Sequence, residues 1–129
     1  MESCATLNKY PVDRALLLAS ALALFTLPAS AAQGKTTESI ERGKILLAQY
    51  QCGSCHAIPG IPGAKGEVAQ PLRAWGRRSY VAGRLPNRPD VLARWIVDPQ
   101  AMVPGTAMPS MGVSLADAQH IAAYLLSLK

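Results

Sequence analysis

Aromatic side chains are scarce in this chain. Phe, Trp and Tyr make up 5% of its 129 residues, and Phe25 is the single phenylalanine. Aromatic groups bury large apolar areas, so a small domain with few of them needs another source of core mass. Ten glycines and ten prolines also interrupt regular structure. The composition therefore predicts a loop-rich domain whose core is completed by a disulfide, a metal or a cofactor.

Several other patterns are missing as well. The chain has no internal repeat, no low-complexity tract and no block of like charge. No segment alternates polar and apolar residues as a half-buried strand would, and no basic stretch is interleaved with aromatics. Its length favours one domain and excludes a large multi-domain enzyme. We therefore expect neither a β-sheet protein nor a nucleic-acid binder.

The first 32 residues predict an export signal. Two basic residues precede a 13-residue apolar run, 15–27, which ends at a proline and a stretch of small residues. This order is typical of a secretory signal peptide. The alternative is an uncleaved membrane anchor, but so short a helix, rising about 1.5 Å per residue, hardly spans ~30 Å of hydrocarbon. We expect cleavage after Ala31 or Ala32, which leaves 33–129 as the exported domain.

Three segments have the period of an amphipathic helix. The first runs from about Glu38 to Tyr50, with Thr37 as a candidate N-cap. The second covers about Pro89 to Val97, since the next proline must end it. The third begins with the capping box Ser114-x-x-Asp117 and continues to the C-terminus. The sequence therefore predicts an all-α domain, and its long loops are typical of segments that wrap a ligand.

A motif that carries chemistry, Cys52-Gly53-Ser54-Cys55-His56, follows the first helical segment. The pattern C-x-x-C-H is typical of covalent attachment of a c-type haem. Two thiols three positions apart lie on one side of a helical turn, where both can form thioethers with one porphyrin edge. The histidine is then placed under the ring centre, where its imidazole ligates iron. A covalent haem would supply the missing core mass, so we expect the domain to be largely unfolded without it.

Three other interpretations of the motif remain. A disulfide between Cys52 and Cys55 suits an exported protein but explains neither the adjacent histidine nor the missing core mass. A thioredoxin-like redox site needs a βαβ context, and no strand pattern precedes the motif. A zinc site needs four ligands, and beyond the motif the exported domain offers one histidine, His120, and no further cysteine.

Haem iron has a second axial position, for which the exported domain offers four candidates, Met102, Met108, Met111 and His120. Met108 lies in a loop with a proline on each side, and these prolines lower the entropy cost of holding a thioether in place. Met102 could instead anchor a turn, and His120 is expected to be a surface or packing residue of the last helix. We favour Met108, with Met111 as the nearest rival along the chain.

Residues 33–129 resemble a class I c-type cytochrome. They are particularly similar to exported bacterial monohaem cytochromes and to the haem domain of caa3-type cytochrome oxidase subunit II. The residues that carry the likeness are the haem motif and the runs Arg84–Pro89, Leu92–Gln100, Pro104–Pro109 and Ile121–Leu125. The resemblance implies the small cytochrome c fold, with three to five helices and long loops around one covalent haem c.

The resemblance also implies roles for single residues. His56 becomes the proximal iron ligand and Met108 the distal one, with Cys52 and Cys55 as thioether anchors. In relatives the N- and C-terminal helices cross at a small residue, which Gly43 matches; close approach of the two backbones makes up for its low helix propensity.

Relatives also have a Gly-Pro-x-Leu turn whose proline carbonyl accepts a hydrogen bond from the proximal histidine. Pro71 matches this proline, although Gln70 stands where relatives have glycine. Such a bond fixes the imidazole and raises its basicity as a ligand. Positions that face the haem propionates in relatives are matched by Arg77 or Arg78, Arg84 and Trp95.

A His/Met pair saturates the iron, so the function implied is one-electron transfer without catalysis. We expect a periplasmic carrier between respiratory-chain components, with a terminal cytochrome oxidase as one acceptor. The alternative is a haem subunit stably bound to a dedicated dehydrogenase or oxidase, and a haem enzyme or gas sensor would require Met108 to dissociate. The expected signal peptide carries equal numbers of acidic and basic residues, so the exported domain keeps the net charge of +5. That charge favours redox partners with acidic docking surfaces.

Overall fold

The computed structural model describes the backbone of residues 30–129 and the side chains from residue 36 onward. The signal peptide expected over residues 1–32 therefore lies, except for its last three residues, outside the described part. The elements in chain order are α1 (Ser30–Gln49), a 3-10 helix (Cys52–Ser54), a second 3-10 helix (Trp75–Arg77), β1 (Tyr80–Val81), β2 (Leu85–Pro86), α2 (Pro89–Val97), α3 (Pro99–Met102) and α4 (Leu115–Ser127). In this described part, no helix combines the length and the apolar character needed to cross a membrane.

The predicted helices are present, with one boundary wrong. Helix α2 has the predicted bounds, and α4 starts after Ser114, whose hydroxyl accepts a hydrogen bond from Asp117 N as the capping box requires. Helix α1 begins eight residues before the predicted start at Glu38. No proline separates the two positions, so Thr37 continues the helix where a cap was expected.

The described part contains a two-stranded antiparallel ladder and one isolated bridge, between Ala57 and Lys65. Tyr80 pairs with Pro86 and Val81 with Leu85. Ala82 and Gly83 both have positive φ, 50° and 69°, which lets the chain reverse between the strands. Each strand has two residues, too few to produce the alternation that a sequence pattern detects. The all-α class is confirmed, with this short hairpin added.

Helix α4 packs against both α1 and α2. The crossing with α1 occurs at Gly43, as predicted: a Cβ there would lie 2.6 Å from the carbonyl carbon of His120 and 3.0 Å from the Cβ of Tyr124. Those distances are shorter than van der Waals contact, so only glycine permits this approach of the two helices. Leu47 and Ile121 are 1% exposed beside the crossing.

Two side-chain hydrogen bonds also join α1 and the segment after it to α4. The phenol of Tyr50 donates to Asp117 Oδ2 at 2.8 Å, and this bond raises the pKa of Tyr50. Ser39 Oγ and His120 Nδ1 lie 2.9 Å apart. The first bond ties the end of α1 to the start of α4, so the segment that follows Tyr50 leaves the helix pair from a fixed point.

Candidate functional site

The haem-motif residues lie on one tight turn directly after α1. Gln51 adopts a left-handed conformation with φ of 55°, and the 3-10 helix Cys52–Ser54 follows. Cys55 N and His56 N both donate to Cys52 O, at 3.3 and 3.1 Å. This turn presents two thiols and an imidazole over five consecutive residues, as the motif predicts.

The glycine of the motif has a packing reason. A Cβ at Gly53 would lie 2.6 Å from the Cβ of Ala64, which is buried. The loop that carries Ala64 is held against the turn, since Gly66 N donates to Gly53 O at 3.0 Å. Earlier in the same loop, Pro59 O accepts a hydrogen bond from the Tyr124 hydroxyl at 2.6 Å. The motif is thus held by α4, through this loop, as well as by α1, which it follows directly.

The imidazole of His56 has a different acceptor from the one expected. Its Nδ1 lies 2.7 Å from the carbonyl oxygen of Gln70, whereas Pro71 O accepts from Arg78. The prediction for Pro71 is therefore wrong by one residue. Gln70 stands where relatives have glycine, so the turn need not present the same carbonyl. A carbonyl only accepts, so Nδ1 carries the proton and Nε2 is left as the nitrogen with a free lone pair.

Arg78 stabilises the loop that supplies this acceptor. Besides Pro71 O, its guanidinium bonds to Gln70 Oε1 at 3.3 Å and to Arg73 O at 3.4 Å. It also lies over the Trp75 ring, 4.7 Å from the centroid, in a cation–π contact. Arg78 does not line the cavity described next. The structure thus gives Arg78 partners in the loop, and its contact with a propionate stays a prediction.

A cavity of about 520 Å³ opens beside His56. The apolar side chains that line it include Leu47 of α1, Leu92 and Ile96 of α2, and Ile121 and Leu125 of α4, together with Leu72, Trp75 and Trp95 from the loops and α2. Cys52, Cys55, His56 and Met108 line the same cavity. Its volume falls within the ~300–1,000 Å³ of cofactor sites, and the leucine, isoleucine and tryptophan side chains that line it belong to the hydrophobic core.

The electrostatics of the cavity suit a large apolar group. No Asp, Glu, Lys or Arg side chain lines it in the described part of the chain. Burial raises the pKa of the Cys52 thiol, and both motif cysteines are free. Within residues 36–129 no group of three or more His, Cys, Asp or Glu side chains is placed to hold a metal ion. The donor set therefore fits a haem held by two thiols, an imidazole and a thioether, and it does not fit the zinc alternative.

Of the four distal candidates, only Met108 lines the cavity. Met102 is half-buried against the core at the end of α3. Met111 is 42% exposed, and the ring of His120 is engaged with Ser39 between α1 and α4. The structure thus brings together Cys52, Cys55, His56 and Met108 from two distant parts of the chain.

The two tryptophans of the cavity differ in the state of their indole N–H groups. Trp75 Nε1 donates to Asn87 Oδ1 at 3.2 Å, and Asn87 Nδ2 donates back to Trp75 O and Arg78 O at 3.0 and 2.9 Å. Trp95 is 7% exposed and lines the cavity, yet its N–H has no acceptor among the described residues. In that part of the chain, every fully buried side-chain nitrogen has a hydrogen-bond partner. Because the Trp95 N–H has none, it is not fully buried and remains accessible to a ligand.

Arg84 lies exposed between β1 and β2 and is absent from the cavity wall. Its assignment to a propionate stays a prediction. The roles of Trp75, Asn87 and Gln70 could not be predicted from the sequence, because each acts through a partner 8 to 14 positions away. The run Arg84–Pro89 that carries the family likeness contains Asn87, and this is the one signal that could have drawn attention to it.

Comparisons with known proteins agree with this site. The family model described as cytochrome c matches residues 40–129, more than half of the chain. The chain is 34% identical over 102 residues to a cytochrome c oxidase subunit 2 of Alkalihalophilus pseudofirmus, covering 78% of this chain and 29% of that protein. It is 30% identical over 86 residues to a cytochrome c oxidase subunit 2 of Bacillus subtilis, covering 65% of this chain and 24% of that protein.

The chain thus spans less than a third of the length of these curated relatives. No solved structure matches it significantly. The family match includes the turn with its two thiols, the imidazole and the loop of Met108, and all of them border one apolar cavity. Covalent haem c is the group that defines proteins built on this motif. Together these findings show that the chain belongs to the cytochrome c family and that its cofactor is a covalently bound haem c.

Proposed function

We propose that His56 and Met108 are the two axial ligands of the haem iron. The supporting observation is that one cavity is bordered by both motif thiols, by His56 and, of the four distal candidates, by Met108 alone. The Nδ1 proton of His56 is bonded to Gln70 O, so Nε2 is the nitrogen that would ligate the iron. The thioether of Met108 is a soft ligand that favours the ferrous state.

The function proposed is reversible one-electron transfer without catalysis. When bound, haem supplies a one-electron couple at its iron. Cys52 and Cys55 would hold the ring by thioether bonds and His56 and Met108 would ligate the iron, while the leucine and isoleucine side chains of α1, α2 and α4 exclude water. With protein ligands at both positions, the iron would offer oxygen and peroxide no open site.

The distal ligand is tested by three single substitutions. We expect Met108→Ala to lose the weak red absorption band that a thioether-ligated ferric haem shows. Met102→Ala and Met111→Ala serve as matched controls and should keep the band, because neither side chain lines the cavity. A band that persists in Met108→Ala would contradict the assignment.

Polar contacts to the haem carboxylates are the next part of the proposal. We propose that the indole N–H of Trp95 donates to a haem propionate, since this group is otherwise without an acceptor in the described part of the chain. Arg84 is proposed as an exposed counter-charge for the same carboxylates, on the strength of the family likeness.

We further propose that the protein acts in the periplasm, after removal of residues 1–32, and exchanges electrons with a membrane-bound oxidase or a periplasmic dehydrogenase. The curated relatives are oxidase subunits, which supports a terminal oxidase as partner. The net charge of +5 supports an acidic docking surface on that partner. Fractionation of native cells distinguishes a free carrier, recovered alone from the periplasm at the mass of the processed chain, from a subunit that co-purifies with a membrane complex.

A further inference from the structure

One side chain holds the loop that carries Met108. Gln100 lies in α3, and its Oε1 accepts a hydrogen bond from Gly105 N at 3.2 Å. Its Nε2 donates to Thr106 O and lies 3.5 Å from Met108 O. A single amide thereby uses both of its polar atoms to join a helix to three positions of the Met108 loop.

The helix that carries Gln100, α3, is itself held in position. Pro99, the first residue of α3, is buried, and Ala101 N donates to Asp98 Oδ1 at 3.1 Å, which caps the helix. After Val103 the loop belongs to no regular element until α4 begins. The loop therefore depends on side-chain hydrogen bonds from α3 and on its own prolines for its position.

A second tie lies just beyond Met108. Ser110 Oγ donates to Val97 O, at the end of α2, at 3.0 Å. Met108 thus lies between two residues that hold the loop by hydrogen bonds: Gln100 before it in the chain and Ser110 after it. Loss of either should loosen the loop without releasing it completely.

We infer that Gln100 is a positioning residue, which keeps the Met108 loop closed over the cavity and so sets how often the Met108 thioether leaves the iron. This inference rests on the proposed ligation by Met108. Gln100 is exposed and borders no part of the cavity. Its substitution therefore removes no side chain that lines the cavity or belongs to the core, and its effect reaches the cavity through the loop alone.

The test is the binding of free imidazole to the ferric haem protein. Imidazole can bind only while the methionine is displaced, so its apparent affinity is the intrinsic affinity multiplied by the fraction of open loop. We expect Gln100→Leu, which keeps the size of the side chain and removes its hydrogen bonds, to bind imidazole about tenfold more tightly, equivalent to about 1.4 kcal/mol. Gln100→Glu, which keeps an acceptor for Gly105 N and loses the amide donor, should shift in the same direction.

Two controls separate loop opening from general destabilisation. Gln119→Leu removes an exposed glutamine from α4 and should bind imidazole as the wild type does. Tyr50→Phe breaks the bond to Asp117 and lowers the melting temperature through the helix pair, without removing any of the hydrogen bonds made by Gln100 or Ser110. It too should leave the imidazole affinity unchanged.

The inference is overturned if both Gln100 variants bind imidazole with wild-type affinity, or if Tyr50→Phe raises the affinity as much as they do. If Gln100→Leu fails to take up haem, Gln100→Glu carries the test. Failure of the inference differs visibly from failure of the proposed ligation: in the first case the wild type shows the red absorption band and Met108→Ala loses it, and in the second the band does not depend on Met108.

Discussion

At the scale of single residues, two tryptophans of the cavity wall have indole N–H groups in different surroundings. Trp75 and Trp95 both line it, but the N–H of Trp75 is engaged by Asn87. The indole of Trp95 keeps its N–H available inside a nearly buried side chain. One tryptophan therefore supports the loop structure, and the other is placed to meet a polar group of the cofactor. Substitution of each tryptophan by phenylalanine removes the indole N–H in both cases and so distinguishes the two roles.

We expect Trp95→Phe to lower the reduction potential by roughly 20–60 mV, the equivalent of one hydrogen bond of about 0.5–1.5 kcal/mol for a one-electron couple. A carboxylate that loses its donor keeps more negative charge near the iron and favours the ferric state. Trp75→Phe should mainly lower the melting temperature, because it leaves Asn87 Oδ1 without its donor. Spectroelectrochemical titration and thermal melting of both variants check this, and equal potentials in Trp95→Phe and wild type would exclude the propionate contact.

At the scale of elements, the crossing of α1 and α4 positions the haem motif. The motif turn starts directly after α1, and Ile121 and Leu125 of α4 line the same cavity as the motif. The distance between these two helices therefore controls the width of the cavity. Gly43 sets that distance, since a Cβ at this position would overlap the backbone of α4 at His120.

For Gly43→Ala, the sign of the change in the free energy of unfolding tests the close crossing of α1 and α4. Helix propensity alone would make this substitution stabilising by about 1 kcal/mol. The close crossing instead predicts a loss of roughly 1–3 kcal/mol in the free energy of unfolding, because the new methyl group must push α4 away. Gln49→Ala, at an exposed position of the same helix, is the matched control and should change stability little. A raised melting temperature of the haem-loaded Gly43→Ala protein would show that the helices do not pack this closely.

At the scale of the whole molecule, the features that could be predicted from the sequence are those fixed by local spacing. The thiols and the imidazole fall within one turn, and the bounds of α2 follow from its prolines. The acceptor for His56 depends on how the loop 14 residues away is folded, and the tie from Gln100 to Met108 joins a helix to an irregular loop. Such contacts follow from tertiary geometry, so the sequence indicated Pro71 where the structure has Gln70. The run Leu92–Gln100 carries the family likeness but does not indicate the contact of Gln100 with the Met108 loop.

The scarcity of aromatics has its explanation at this same scale. The core residues Leu47, Leu92, Ile121 and Leu125 come from three helices and border the cavity instead of closing over it. Haem fills the space that larger side chains would occupy in another small domain. The cofactor is thus a structural part of the core as well as the redox centre.

The most direct test of this account is the addition of carbon monoxide to the reduced haem protein at neutral pH. Carbon monoxide needs an open axial position on ferrous iron. If His56 and Met108 both ligate the iron and the protein transfers electrons without catalysis, the spectrum of the reduced protein should not change on addition of the gas. Rapid formation of a carbon monoxide complex by the folded protein would contradict the closed coordination on which the proposed function depends.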